Sequence, residues 1–190
     1  MILDIAIGIL LGSYFGGESF NYGLIILGVL FCLLPDIDIF SFAYQKYIKK
    51  TKIINHRSWT HYPLAYLPLY LFILFIETGL NLSHTISLMF ALSILWHFLH
   101  DTLFIGWGVM WGWPFSKRKY KIFTEKDGKI TTKFLLSWLP EEEEKIMKWS
   151  GGSVDGWLKH YYFKLNIITI LEYGVFIFTA LHLYFKYFVV

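Results

Sequence analysis

Cysteine is nearly absent from this chain of 190 residues, which has only Cys32, set inside an apolar run. A disulfide within the chain is therefore excluded, and a small buried side chain is the expected role. Charge is also scarce, at 16% of residues and a net +3. The basic residues sit in two loops, without the continuous stripe that a nucleic-acid groove requires, so no nucleic-acid partner is expected. The first apolar stretch lacks a charged leader and a small-residue cleavage site, and reads as a retained helix rather than a signal peptide. No internal repeat or low-complexity linker breaks the chain, leaving one domain, 1–190, as the expectation. What is plentiful is apolar and aromatic surface: hydrophobic residues make up 56% and aromatics 21%, with mean hydropathy +0.50. That composition lies outside the ordinary soluble class. Trp and Tyr crowd the ends of the apolar runs, as interfacial anchors do, so the chain reads as an integral membrane protein.

The apolar segments run from Ile2 to Tyr14, Tyr22 to Leu34, Tyr62 to Ile76, His84 to near Gly106, and Ile167 to Val190. The expected fold class is all-α: a multi-pass α-helical membrane protein with about five transmembrane or membrane-embedded helices. A cytoplasmic or interfacial loop region, 108–165, would carry short helices. The first two segments are short against the roughly 20 apolar residues needed to cross a bilayer. They either cross with polar extensions or form an incomplete hairpin. Pro63 is tolerated near a helix start, whereas Pro68 inside the third segment predicts a kink. In the loop region, Lys126-Asp127-Gly128-Lys129 is a turn signal for a small hairpin. Pro140 and the following glutamates start a short helix with acids at its positive end. Ser150 to Ser153 reads as a break, and Trp157 to Lys164 as an amphipathic interfacial piece.

If each segment crosses once, the stretch from Ile39 to His61 and the stretch from Gly108 to Lys164 share one side with nearly all the lysines and arginines. The positive-inside rule makes that side cytoplasmic. Asp4, Asp36, Asp38, His56, His61, His97, His100 and Asp101 then come to the same side. His97 and Asp101 are four residues apart and stand on one helix face, close enough to ligate a common ion. His100 is turned away from Asp101 and faces elsewhere. Imidazole with carboxylate suits zinc, manganese or iron, as one or two ions, and several histidines make magnesium a poor fit. Each group alone has a plainer explanation: a buried hydrogen bond for His97 with Asp101, a helix-end solvated group for Asp36, a helix cap for His61. Three segments delivering His and Asp together favour a site, because ionisable groups inside a bilayer are costly. His84, His160 and His182 read as interfacial or core residues.

Four stretches carry a resemblance: Leu34-Pro35-Asp36-Ile37-Asp38, His56-Arg57-Ser58-Trp59-Thr60-His61, His97-Phe98-Leu99-His100-Asp101 and Trp113-Pro114-Phe115-Ser116. In order and spacing they are similar to the motifs of the membrane-bound, metal-dependent hydrolase family of YdjM-like, LexA-regulated inner-membrane proteins. The resemblance covers roughly Met1 to Tyr120 and implies a small multi-pass protein of a bacterial or archaeal cytoplasmic membrane. It also implies hydrolysis with a divalent transition metal, and metal ligands at Asp36, Asp38, His56, His61, His97 and Asp101. Asp4 stands where family members tend to have a histidine, four residues before Gly8, and a carboxylate can replace it as a ligand. Asp36 or Asp38 would serve as ligand or general base. Arg57 would be an anion clamp or one more positive-inside charge. The expected activity is hydrolysis of a lipid-linked or phosphate ester by metal-activated water, with the site facing the cytoplasm. The competing expectations are a lipid phosphatase with a histidine nucleophile, whose other signals are missing, and a non-catalytic membrane protein using the same cluster for metal binding or transport.

Overall fold

The computed structural model describes residues 1–50, 59–103, 108–122, 125–126, 129–130, 134–142 and 167–189. These are mostly helical: α1 (Ile2–Gly16), α2 (Tyr22–Leu33), α3 (Asp38–Ala43), α4 (Leu67–Gly79), α5 (Thr85–Thr102) and α6 (Ile167–Phe188). Contacts divide the chain into two compact units. The first comprises Met1–Leu34, Tyr66–His97 and Ile167–Val190, and the second Pro35–Ala65 and Phe98–Asn166.

In the first unit, α1 packs along α2 and also against α6. The α1–α2 contact is backbone on backbone. A Cβ added at Gly8 would lie 2.6 Å from Val29 Cα, and one at Gly12 or Gly28 would collide with the facing backbone of Ile25 or Gly8. Small residues spaced by four on one helix permit that approach, as in membrane helix pairs. The turn between the helices is closed by Gly17 at φ 71° and by Asn21, whose side-chain oxygen accepts from Leu24 N–H at 3.1 Å. That is an N-cap bond.

α4 and α5 are joined by a carboxylate. Glu77, buried at the end of α4, accepts from Ile86 N–H at 2.8 Å and from Ser87 N–H at 3.2 Å. The first N–H groups of a helix have no partner within it, so an acid there satisfies them and complements the helix dipole. In the same unit, the Tyr187 hydroxyl lies 2.9 Å from Ser13 Oγ. Lys186 Nζ donates to the Ser13 carbonyl at 3.1 Å, placing a cation near the negative end of α1. The core of this unit includes Ala6, Cys32, Met89, Phe90 and Ile94, with Phe31 edge-on to Phe90.

The helices differ from expectation at two prolines. The second apolar segment does not stop at the Asp-x-Asp pair. It tightens into a 3-10 turn over Leu34–Ile37 and continues into α3, a tightening that accommodates the missing N–H of Pro35. Pro68 kinks nothing, because α4 begins at Leu67 after a separate 3-10 turn, Pro63–Tyr66; a proline in the first turn costs no helical bond. Among the described residues, one helical stretch, Tyr22–Ser41, is long and apolar enough to cross a membrane, while Ile2–Gly16 and Pro63–Gly79 are shorter apolar helices.

The second unit contains strands that the all-α expectation lacked. β1 (Lys119–Ile122) pairs antiparallel with β4 (Leu135–Trp138), Lys119 opposite Trp138. Between them β2 (Glu125–Lys126) pairs with β3 (Lys129–Ile130), which is the small hairpin that the Asp-Gly signal predicts. Val109 bridges Tyr120 through two backbone bonds of 3.0 and 2.9 Å. Phe98, Val109, Met110 and Trp138 form the buried part, and Gly108, at φ 76°, leaves room for the Trp138 ring. Pro140–Glu142 forms the expected short helical turn, with Glu142 accepting from Leu139 N–H at 2.9 Å. The later glutamates, the Ser150 to Ser153 break, the Trp157 to Lys164 piece and His160 lie outside the described residues.

Candidate metal centre

Within the second unit, three chain segments bring Asp36, Asp38, Thr60, His61 and Asp101 together. Asp36 and Asp38 stand on the 3-10 turn and the start of α3, Thr60 and His61 on a further 3-10 turn (Trp59–His61), and Asp101 in the last turn of α5. The tight turns aim short side chains inward. The second turn is pinned by Tyr62 N–H donating to the Trp59 carbonyl at 3.2 Å and by Tyr62 stacking on Trp113, centroids 4.9 Å apart.

The His61 ring is held by one nitrogen and presented by the other. On the Nδ1 side, Asp38 Oδ2 lies 3.2 Å away and also accepts from Thr60 Oγ1 at 2.8 Å. With the proton on Nδ1, this bond fixes the tautomer that leaves a lone pair on Nε2. On the Nε2 side are two carboxylates, Asp36 Oδ1 at 3.4 Å and Asp101 Oδ2 at 3.6 Å. These separations exceed the roughly 2.7–2.9 Å of charge-assisted hydrogen bonds. They match the edges, about 3.3–3.6 Å, between ligand atoms set around 2.0–2.2 Å from a tetrahedral ion. The donors, one imidazole nitrogen and two carboxylate oxygens, are those of a first-row transition metal. Asp36 and His61 belong to a His/Asp group that could hold a metal ion.

Burial is uneven across the cluster. The His61 and Asp38 side chains are 2% and 5% exposed, whereas those of Asp36 and Asp101 are 15% and 14% exposed. The imidazole and Asp38 are thus enclosed, while the Asp36 and Asp101 side chains retain some exposure.

Within the first unit, His97 and Asp4 are both buried. His97 Nδ1–H donates to the Cys32 carbonyl at 2.8 Å, which again leaves Nε2 as the lone-pair nitrogen. Asp4 lies on the same Nδ1 side, its Oδ1 3.9 Å away, while its Oδ2 is 2.8 Å from the Met1 amine. The unit boundary falls inside α5, directly after His97. His56 and Arg57 lie outside the described residues. Thr60 has no role assigned from sequence, although it directly precedes His61 in the His56–His61 motif; its hydroxyl is what ties Asp38 to that turn.

Comparison with known proteins supports a membrane location. No solved structure matches the chain. A similar curated protein is inner membrane protein YbcI of Escherichia coli (strain K12), 27% identical over 123 residues, covering 63% of this chain and 70% of that protein. The description of the YdjM inner membrane protein family matches residues 2–185, and the chain belongs to that family.

Proposed function

We propose that the chain is a multi-pass membrane hydrolase whose His/Asp cluster holds a divalent transition metal, zinc by its donor set, with manganese or iron as the other fits. The observation that carries the reading is the pair of carboxylates set 3.4 and 3.6 Å from His61 Nε2. Asp36, His61 and Asp101 are the proposed ligands, joined by His97, which precedes Asp101 by four residues on the same face of α5. Such an ion supplies Lewis acidity and makes water acidic enough to be a nucleophile near neutral pH. Asp38, already accepting from Thr60 and His61, orients the imidazole. Asp36, the more open of the two, would hold the ion through one carboxylate oxygen and leave the other as the proton acceptor for water. Arg57 is the proposed contact for an anionic substrate, a lipid-linked or phosphate ester that arrives from the bilayer.

The multi-pass reading draws support from polarity. In the first unit α2, α4, α5 and α6 expose large apolar side chains such as Ile26, Phe75, Leu92 and Phe178, while Asp4, Ser13, Glu77, Ser93, His97 and Glu172 are buried. Lipid suits that outer surface better than water does. The surplus of lysine and arginine in the stretches after Asp38 and after Gly108 argues for a site on the cytoplasmic side.

Elemental analysis of protein purified without chelator tests the metal. The expected result is a stoichiometric transition metal that falls in Asp36→Ala and in His97→Ala; protein with no metal overturns the proposal. A transporter using the same cluster is the second reading, favoured by Glu172, buried in α6. Metal flux across reconstituted vesicles, with no turnover of phosphoester substrates, would establish it instead.

A further inference from the structure

The loop Gly112–Arg118 of the second unit is exposed in a way its packing does not explain. Phe115 is 91% exposed, more than any other large hydrophobic residue described, and Pro114, Lys117 and Arg118 beside it are also exposed. The loop is nevertheless well fastened. Ser116 N–H donates to the Gly112 carbonyl at 2.8 Å, Trp113 N–H to the Met110 carbonyl at 3.3 Å, and the Trp113 ring lies flat on Tyr62. Behind Phe115, the Ser116 hydroxyl accepts from Arg118 N–H at 3.2 Å. The Arg118 guanidinium donates to Ser137 Oγ on β4 at 3.3 Å, so its charge is fixed to one side of the loop.

A held phenyl ring with two adjacent cations matches the layered chemistry of a bilayer surface, apolar below and anionic at the headgroups. Water offers the ring nothing, and the protein belongs to an inner-membrane family, so a bilayer is the apolar phase within reach. We infer that Gly112–Arg118 is an interfacial anchor in which Phe115 enters the acyl boundary and Lys117 with Arg118 engage the phosphates of anionic lipids. The fixed loop means that little ordering remains to be done on contact. This inference is independent of whether the His/Asp cluster holds a metal.

The test uses the full chain in nanodiscs of phosphatidylcholine, with and without phosphatidylglycerol. Cys32 is fully buried, so Phe115→Cys offers one accessible thiol for an environment-sensitive fluorophore, with the unsubstituted chain as the labelling blank. The expected result is emission quenched several-fold more by a shallow doxyl lipid than by aqueous iodide, with the difference larger in the anionic discs. In Lys117→Glu with Arg118→Glu that lipid dependence should disappear. A probe quenched mainly by iodide places the loop in water and overturns the anchor. A probe shielded from both quenchers points to a protein partner and overturns it as well. Equal quenching in the two disc types, or no effect of the charge reversals, overturns the role of anionic lipid.

Discussion

The two units solve opposite problems with the same residue types. In the first, carboxylates and hydroxyls are spent on structure: Glu77 caps α5, and Ser13 fastens α1 to α6. Around them the helices expose large apolar side chains. In the second, Asp36, Asp38 and Asp101 surround a single imidazole, and short turns and strands replace long helices. An acid facing helix N–H groups is satisfied without a metal, whereas carboxylates gathered on one imidazole nitrogen form an arrangement that could hold one. The environment of the acid, and not its presence, separates scaffold from chemistry.

The comparison breaks most sharply at His61. His61→Ala should abolish bound metal and with it any hydrolytic turnover, while leaving helix content by circular dichroism unchanged. A variant that keeps its metal removes His61 from the centre. The reverse experiment is Gly12→Val, which forces side-chain atoms into the α2 backbone. It should cost about 3 kcal/mol, at the upper end of overpacking, read as a lowered unfolding midpoint in detergent. If Gly12→Val instead left stability intact, α1 and α2 would not be packed backbone on backbone.

Asp38→Asn separates the orienting role from the ligand role. Loss of a carboxylate behind a metal-bound imidazole typically weakens metal affinity about 10–100-fold, so a chelator competition should show partial loss, short of the His61→Ala result. Glu77→Gln should reduce stability by roughly 1–2 kcal/mol without changing metal content, measured by the same unfolding and elemental assays. Ser13→Ala has the smallest expected effect, about 0.5–1.5 kcal/mol for the hydrogen bond to Tyr187. A change in metal stoichiometry in either of these last two variants would erase the division between scaffold and chemistry.

Much of this was legible in the sequence. Apolar runs located α1, α2, α4, α5 and α6 to within a few residues, because long helical segments carry a strong pattern. The backbone contact between α1 and α2 had a readable signal in Gly8 and Gly12, four residues apart. What the sequence hid were features set by distant partners. The strand Lys119–Ile122 is four residues long, alternates Lys with Tyr and Ile, and is made a strand by Leu135–Trp138. Glu77 looks like an isolated charge until the start of α5 lies across it. For the candidate site, the motifs carried Asp36, Asp38, His61 and Asp101 into one group, but the roles of the two aspartates depend on which imidazole nitrogen each faces. Spacing along a chain does not contain that information.

The bond between Ser13 and Tyr187 joins residues 174 apart, whereas α1 and α2 are joined by a short turn. During synthesis the partners of the α1–α2 contact therefore emerge long before α6 does, and the glycines give that pair a backbone contact that does not involve α6. The fastening of α1 by Lys186 and Tyr187 is then a late event, available only to chains that have reached α6.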